Sequence, residues 1–160
     1  MRKTVWLRAA LILLTGALMG TIFLFSSQTS GASNELSRGL AEILLGRIGI
    51  HLTAEQIEAC NLVLRKIAHF SLYFLLGAGV MGVCLTVPWK MRWRFLLAVL
   101  ICALFAASDE LHQYLSGARN GNVLDVLLDS CGAICGATAV AWIGKKVKSR
   151  EERVQGERLR

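Results

Sequence analysis

Four apolar runs make up most of this chain, and ionisable residues enter them mainly near their ends. The runs cover residues 5–25, 67–87, 95–115 and 123–143. About 20 apolar residues in helical conformation cross a hydrocarbon core ~30 Å thick. Lipid offers the backbone no hydrogen-bond partner, so each run is expected to be a helix. Apolar residues form 54% of the 160-residue chain, more than a soluble globule carries. Mean hydropathy is +0.52, in the same sense. The expected fold is an all-α integral membrane domain of four spans over residues 1–144, followed by a basic tail at 145–160.

The segments between the runs are short except for the first. Residues 26–66 are polar and mixed in charge, yet patterned. Leu36, Leu40, Ile43 and Leu44 recur at helical spacing behind a capping Ser33 or Asn34, which predicts a short amphipathic helix at the membrane surface. Thr53-Ala54-Glu55-Gln56 has the form of a capping box and predicts a helix that runs on into the second span. Pro88 stops that span. Trp89-Lys90-Met91-Arg92-Trp93-Arg94 reads as a tight loop whose indoles suit the headgroup level. A turn at 116–122 makes the third and fourth spans an antiparallel hairpin. Gly144 and Lys145-Lys146 are expected to end the fourth span, with the tail beyond it a surface helix or disordered. The first run is longer than a signal-peptide core, so an uncleaved helix is expected.

The distribution of charge predicts orientation. Of the 18 Lys and Arg residues, 13 flank the start of span one, lie between spans two and three, or follow span four. These regions share one side of a four-span protein, and positive charge favours the cytoplasm. Both termini are then cytoplasmic. The basic tail carries no interleaved stacking aromatics, which excludes nucleic-acid binding. Cys60, Cys84, Cys102, Cys131 and Cys135 lack paired zinc-ligand spacing and read as small packing residues.

Against this background the costly residues are conspicuous. Lys66, His69 and Tyr73 lie near the start of span two. Asp109, Glu110, His112 and Gln113 close span three, Arg119 sits in the following turn, and Asp125 and Asp129 open span four. A charge at mid-bilayer costs a few kcal/mol. With the expected topology all of these fall at the extracytoplasmic end of the bundle. Asp125, Asp129, Gly132 and Gly136 form one stripe, so the aspartates should face inward along a small-residue packing face. Each residue also has a plain reading: His69 as a packing histidine, the aspartates as salt-bridge partners of Arg119, Lys66 or Arg65, and Tyr73 and Tyr114 as interface aromatics. Their convergence reads as a site.

At these residues the sequence resembles the VanZ-like family of small bacterial membrane proteins. The matching pieces are Phe25-Ser26-Ser27-Gln28, Arg65-Lys66-Ile67-Ala68-His69-Phe70 and Asp109-Glu110-Leu111-His112-Gln113. Gly117-Ala118-Arg119, Asp125, Asp129, Gly132 and Gly136 complete the set. One position departs: where relatives carry an acidic or polar residue before the tyrosine, this chain has Leu72. The resemblance implies an envelope protein of the type linked to resistance against teicoplanin, a lipoglycopeptide antibiotic.

Four functions compete at this point. The first is an envelope-protective protein whose outer-leaflet site binds a lipid-linked wall precursor or lipoglycopeptide, with Lys66, Arg65 and Arg119 on anionic groups and Tyr73 and Gln113 beside them. The second is an intramembrane hydrolase or transferase on a lipid-linked substrate. There Asp109, Glu110, Asp125 and Asp129 would hold a divalent cation and His69 or His112 would move protons. A proton-coupled transporter using the same carboxylates is the third, and a structural partner protein the fourth. Self-association through the Gly132/Gly136 face is a further expectation.

Overall fold

The computed structural model describes residues 2–26, 53–116 and 122–158, together with positions 35, 39, 43, 46 and 47. Four long helices appear among them and no strand: α1 (Arg2–Ser26), α2 (Ala54–Leu85), α3 (Met91–Leu115) and α4 (Val123–Arg158). Each contains a segment long and apolar enough to cross a membrane. The chain is an all-α, multi-pass membrane protein. The amphipathic helix expected after Ser33 lies mostly outside the described residues.

Helix boundaries follow from local chemistry. Thr53 caps α2: its Oγ1 accepts from the Gln56 amide (3.4 Å), and Gln56 Oε1 accepts from the Thr53 amide (2.9 Å). The capping box therefore opens the second span itself rather than a separate short helix. At 32 residues, α2 is about 48 Å long, well beyond a ~30 Å core. It ends at Leu85, where the Thr86 amide turns back to Val83 and Cys84 ahead of Pro88. The aromatic and basic stretch after Pro88 is mostly helical, since α3 already starts at Met91.

The tail beyond the fourth span takes the helical one of its two expected forms. Gly144 does not stop α4, which continues without a break to Arg158. One interior glycine costs a helix only about 1 kcal/mol. The Lys, Arg and Glu residues that follow are good helix formers, and no proline intervenes. The basic residues therefore do not end the helix. Lys146 folds back over the Trp142 ring at 3.8 Å, an arrangement suited to the headgroup boundary.

α2 is the hub, touching each of the other three helices, and its largest interface is with α4. That interface is a backbone-to-backbone crossing. A Cβ on Gly132 would lie 2.6 Å from the Phe70 carbonyl oxygen, and Cβ atoms on Gly77 and Gly136 would collide with the carbonyls of Ala133 and Phe74. The Gly132/Gly136 stripe thus packs on α2 of the same chain. α3 lays Ala98, Cys102, Ala106, Asp109 and Gln113 on the same core. α1 joins through Thr15, whose Oγ1 meets Gly79, and through Ile22. The exposed Leu13, Leu14, Leu104 and Leu127 face outward, as lipid-facing side chains do. On the same exterior, Thr21 and Thr138 return their hydroxyls to carbonyls four residues back.

Candidate functional site

One end of the bundle collects the polar residues. Along α2 the steps Lys66, His69 and Tyr73 stay on one helical face. That face is held against α4 by the glycine crossing one turn deeper, which brings Asp125 and Asp129 alongside. Lys66 Nζ pairs with Asp125 Oδ1. His69 Nδ1 faces Asp129 Oδ2 at 3.7 Å, too long for a direct hydrogen bond. From α3, Gln113 Nε2 donates to Asp109 Oδ2 at 3.2 Å. Glu110 turns to the α3–α4 connection, where its Oε1 accepts from the Asn122 amide at 2.5 Å and anchors the start of α4.

Beneath this rim lies an enclosed polar floor. Asp109 is 1% exposed, Asp129 3% and Tyr73 0%. Among the described residues no donor reaches Asp109 Oδ1 or Asp129 Oδ1, and none pairs with the Tyr73 hydroxyl. Buried polar atoms without partners are uncommon, because each forfeits its hydration. A crevice lined by Arg65, Lys66, His69, Glu110, Gln113, Asp125, Leu128 and Asp129 sits above them. Its volume of about 10 Å³ has room for about one water.

The expected constellation is therefore largely assembled, with changes. Lys66, His69, Glu110, Gln113, Asp125 and Asp129 line one crevice, and Asp109 and Tyr73 close it below. Tyr73 is not an interface aromatic; its ring tilts against Phe105 in the core at 6.2 Å. Tyr114, at 65% exposed, does sit on the exterior. His112 turns away from the crevice and packs its ring on Phe23 of α1, centroids 4.4 Å apart. Arg119 lies outside the described residues. Lys66 pairs with Asp125 at the rim. Leu72 packs against the apolar core, in keeping with its departure from the family pattern.

Three contributors escaped the sequence reading of the site. Ser26, buried at the end of α1, places its hydroxyl beside Asp109. Phe23 supplies the surface on which His112 rests. Asn122 links α4 to Glu110. The only sequence signal for any of them was the family match at Phe25-Ser26-Ser27-Gln28, which carried no role.

Chemically, the floor is an acceptor surface. Two cations, Arg65 and Lys66, stand against four carboxylates, so the site suits hydrogen-bond donors or positive charge better than a bare anion. Among the described residues no three His, Cys, Asp or Glu side chains converge as metal ligands. Comparison with curated proteins and with solved structures gave no match. Comparison with protein families gave one over residues 11–144, described as VanZ/LLP1. That match takes in most of the first span, the three later spans and every polar residue of the crevice, and the chain belongs to the VanZ/LLP1 family.

Proposed function

We propose that this protein protects the bacterial cell envelope by binding the polar head of an amphiphile at the crevice between α2, α3 and α4. The amphiphile is a lipid-linked wall precursor or a lipoglycopeptide of the teicoplanin type. The observation that carries the reading is the set of enclosed polar atoms beneath a polar crevice, the acceptors Asp109 Oδ1 and Asp129 Oδ1 and the Tyr73 hydroxyl, for which the described residues supply no hydrogen-bond partner. Amines and hydroxyls of a glycopeptide or of an amino-sugar head are the donors such a floor would accept. Arg65, on the rim, supplies a positive charge for a phosphate or carboxylate. The exposed Ile67, Leu124 and Leu127 beside the crevice offer an apolar wall for a chain. The tight volume implies that the rim side chains part when a ligand enters. The charge asymmetry supports the crevice facing the extracytoplasmic leaflet, where such amphiphiles are met.

The test is antibiotic susceptibility. A deletion strain should become more sensitive to teicoplanin than to vancomycin, which lacks the acyl chain. The wild-type gene should restore tolerance, and a copy carrying Asp109→Asn with Asp129→Asn should not, at equal membrane abundance. Unchanged susceptibility in the deletion strain would sink the proposal.

A further inference from the structure

At the opposite end of the bundle the surface has a second feature. A groove of about 610 Å³ runs along the outside of α3, lined by Trp89, Lys90, Trp93, Leu96, Leu97 and Leu100. Its volume falls within the roughly 300–1,000 Å³ typical of small-molecule sites. From Trp93 to Asp109 is 16 residues of helix, about 24 Å, so the groove is separate from the polar crevice. Trp89, Trp93, Leu96 and Leu100 are each more than half exposed. Trp93, Leu96 and Leu100 recur at three- and four-residue steps on α3 and form one strip parallel to its axis, with Trp89 just ahead of the first turn. In a spanning helix that strip meets lipid.

The polar end of the groove carries charge of one sign only. Lys90 lines it, and Arg92 lies over the Trp93 ring with its guanidinium carbon 5.4 Å from the centroid. Among the described residues no carboxylate pairs with Lys90 or Arg92. The sequence has no acidic residue between Glu58 and Asp109. The fixed Arg92–Trp93 stack holds a cation at the depth where the apolar strip begins.

We propose that this groove is a seat for an anionic phospholipid. One acyl chain lies along Leu96, Leu97 and Leu100 between the two indoles, and the phosphate meets Lys90 and Arg92. The complementarity is geometric and electrostatic. The indoles wall the groove at glycerol depth, the leucines continue it toward mid-bilayer, and the two unpaired cations lack a counter-charge that the protein itself provides. A zwitterionic phospholipid fits the apolar strip equally but gains little from the cations. The proposal is independent of the function proposed for the crevice.

Tryptophan quenching tests it. In a chain carrying Trp6→Phe and Trp142→Phe, Trp89 and Trp93 are the only emitters of the original four. The full-length protein is placed in phosphatidylcholine vesicles with a minor fraction of lipid brominated in its chains. The brominated lipid is phosphatidylglycerol in one sample and phosphatidylcholine in the other. Quenching should show an apparent preference for the anionic lipid of about fivefold or more, the scale of one basic residue at a charged surface. Lys90→Gln with Arg92→Gln should abolish that preference while both lipids still quench. Lys145→Gln with Lys146→Gln, on α4, should leave it intact. Raising salt to ~1 M, where screening acts within about 3 Å, should weaken it in the parent without any substitution. Equal quenching by the two lipids in the parent would mean an ordinary lipid-facing surface and would overturn the proposal. So would a preference insensitive to both the Gln pair and salt. Quenching by neither lipid, with a crosslinked dimer instead, would assign the groove to a second copy of the chain and equally reject the lipid.

Discussion

Tyr73 carries a hydroxyl that would ordinarily seek water, yet it lies at the centre of the bundle among Asp109, Asp129 and Phe105. If that hydroxyl has no partner in the resting protein, removing it costs almost nothing. Tyr73→Phe should keep thermal stability in detergent within about 1 kcal/mol of wild type, and it should reduce teicoplanin tolerance in the complemented strain. A large drop in melting temperature would show instead that the hydroxyl is a structural donor. Lys66 and Asp125 make the complementary case. They remain about one-third and one-quarter exposed, so solvent screens the pair. A double-mutant cycle through Lys66→Met and Asp125→Leu should give a coupling of ~1 kcal/mol, and not the 3–5 kcal/mol of a fully buried pair. At this scale the sequence revealed which residues share a depth but not which ones meet. Asp109 and Gln113 differ by about 40° around α3, whereas Asp109 and His112 differ by about 60° in the other direction. The second rotation is enough to turn His112 from α4 to α1, and no spacing rule says where α1 stands.

Helix elements were more legible than their contacts, because length and hydropathy govern spans while surface shape governs packing. Thr53 and Gln56 announced the start of α2, and Pro88 its end. Gly132 and Gly136 announced a close approach, but not whether the approaching helix belonged to the same chain. The crossing depends on three positions where the α2 and α4 backbones nearly touch. Gly136→Ala inserts a methyl group against the Phe74 carbonyl, where no flexible side chain can move aside. It should lower stability by ~1–3 kcal/mol, measured as unfolding in mixed micelles. Because the crossing sets the spacing of Lys66 to Asp125 and His69 to Asp129, the same substitution should also impair tolerance. Gly156→Ala is the control: nothing lies within 4 Å of a Cβ there, and better helix propensity leaves stability equal or higher by up to about 1 kcal/mol. Equal effects at the two glycines would mean that the crossing is looser than described. The run of α4 to Arg158 was legible only as one of two alternatives, surface helix or disorder. Charge periodicity reports where lipid ends, and a helix of Lys, Arg and Glu can continue in water.

The whole molecule is lopsided along the membrane normal, and this gives its orientation a direct test. Residues 54–65 extend α2 about 18 Å beyond the Lys66 level at one end. Residues 145–158 extend α4 by about 20 Å at the other. The two overhangs therefore project into opposite compartments. Cys60 lies on the first and is partly exposed, while Cys84 and Cys102 are buried and Cys131 and Cys135 lie within the apolar stretch of α4. A membrane-impermeant maleimide should therefore label Cys60 in preference to the other four thiols, provided it can reach that compartment. If the basic connections and the α4 overhang are cytoplasmic, as positive charge favours, Cys60 and the crevice beside Lys66 both face outward. Intact cells should then be labelled without permeabilisation, and Cys60→Ser should remove the signal. A cysteine introduced at Ser149, on the α4 overhang, should react only after permeabilisation. The reverse pattern would place the crevice in the cytoplasm, where an extracellular lipoglycopeptide does not reach it. The crevice geometry would survive that result, but the amphiphile would have to be one present on the inner leaflet.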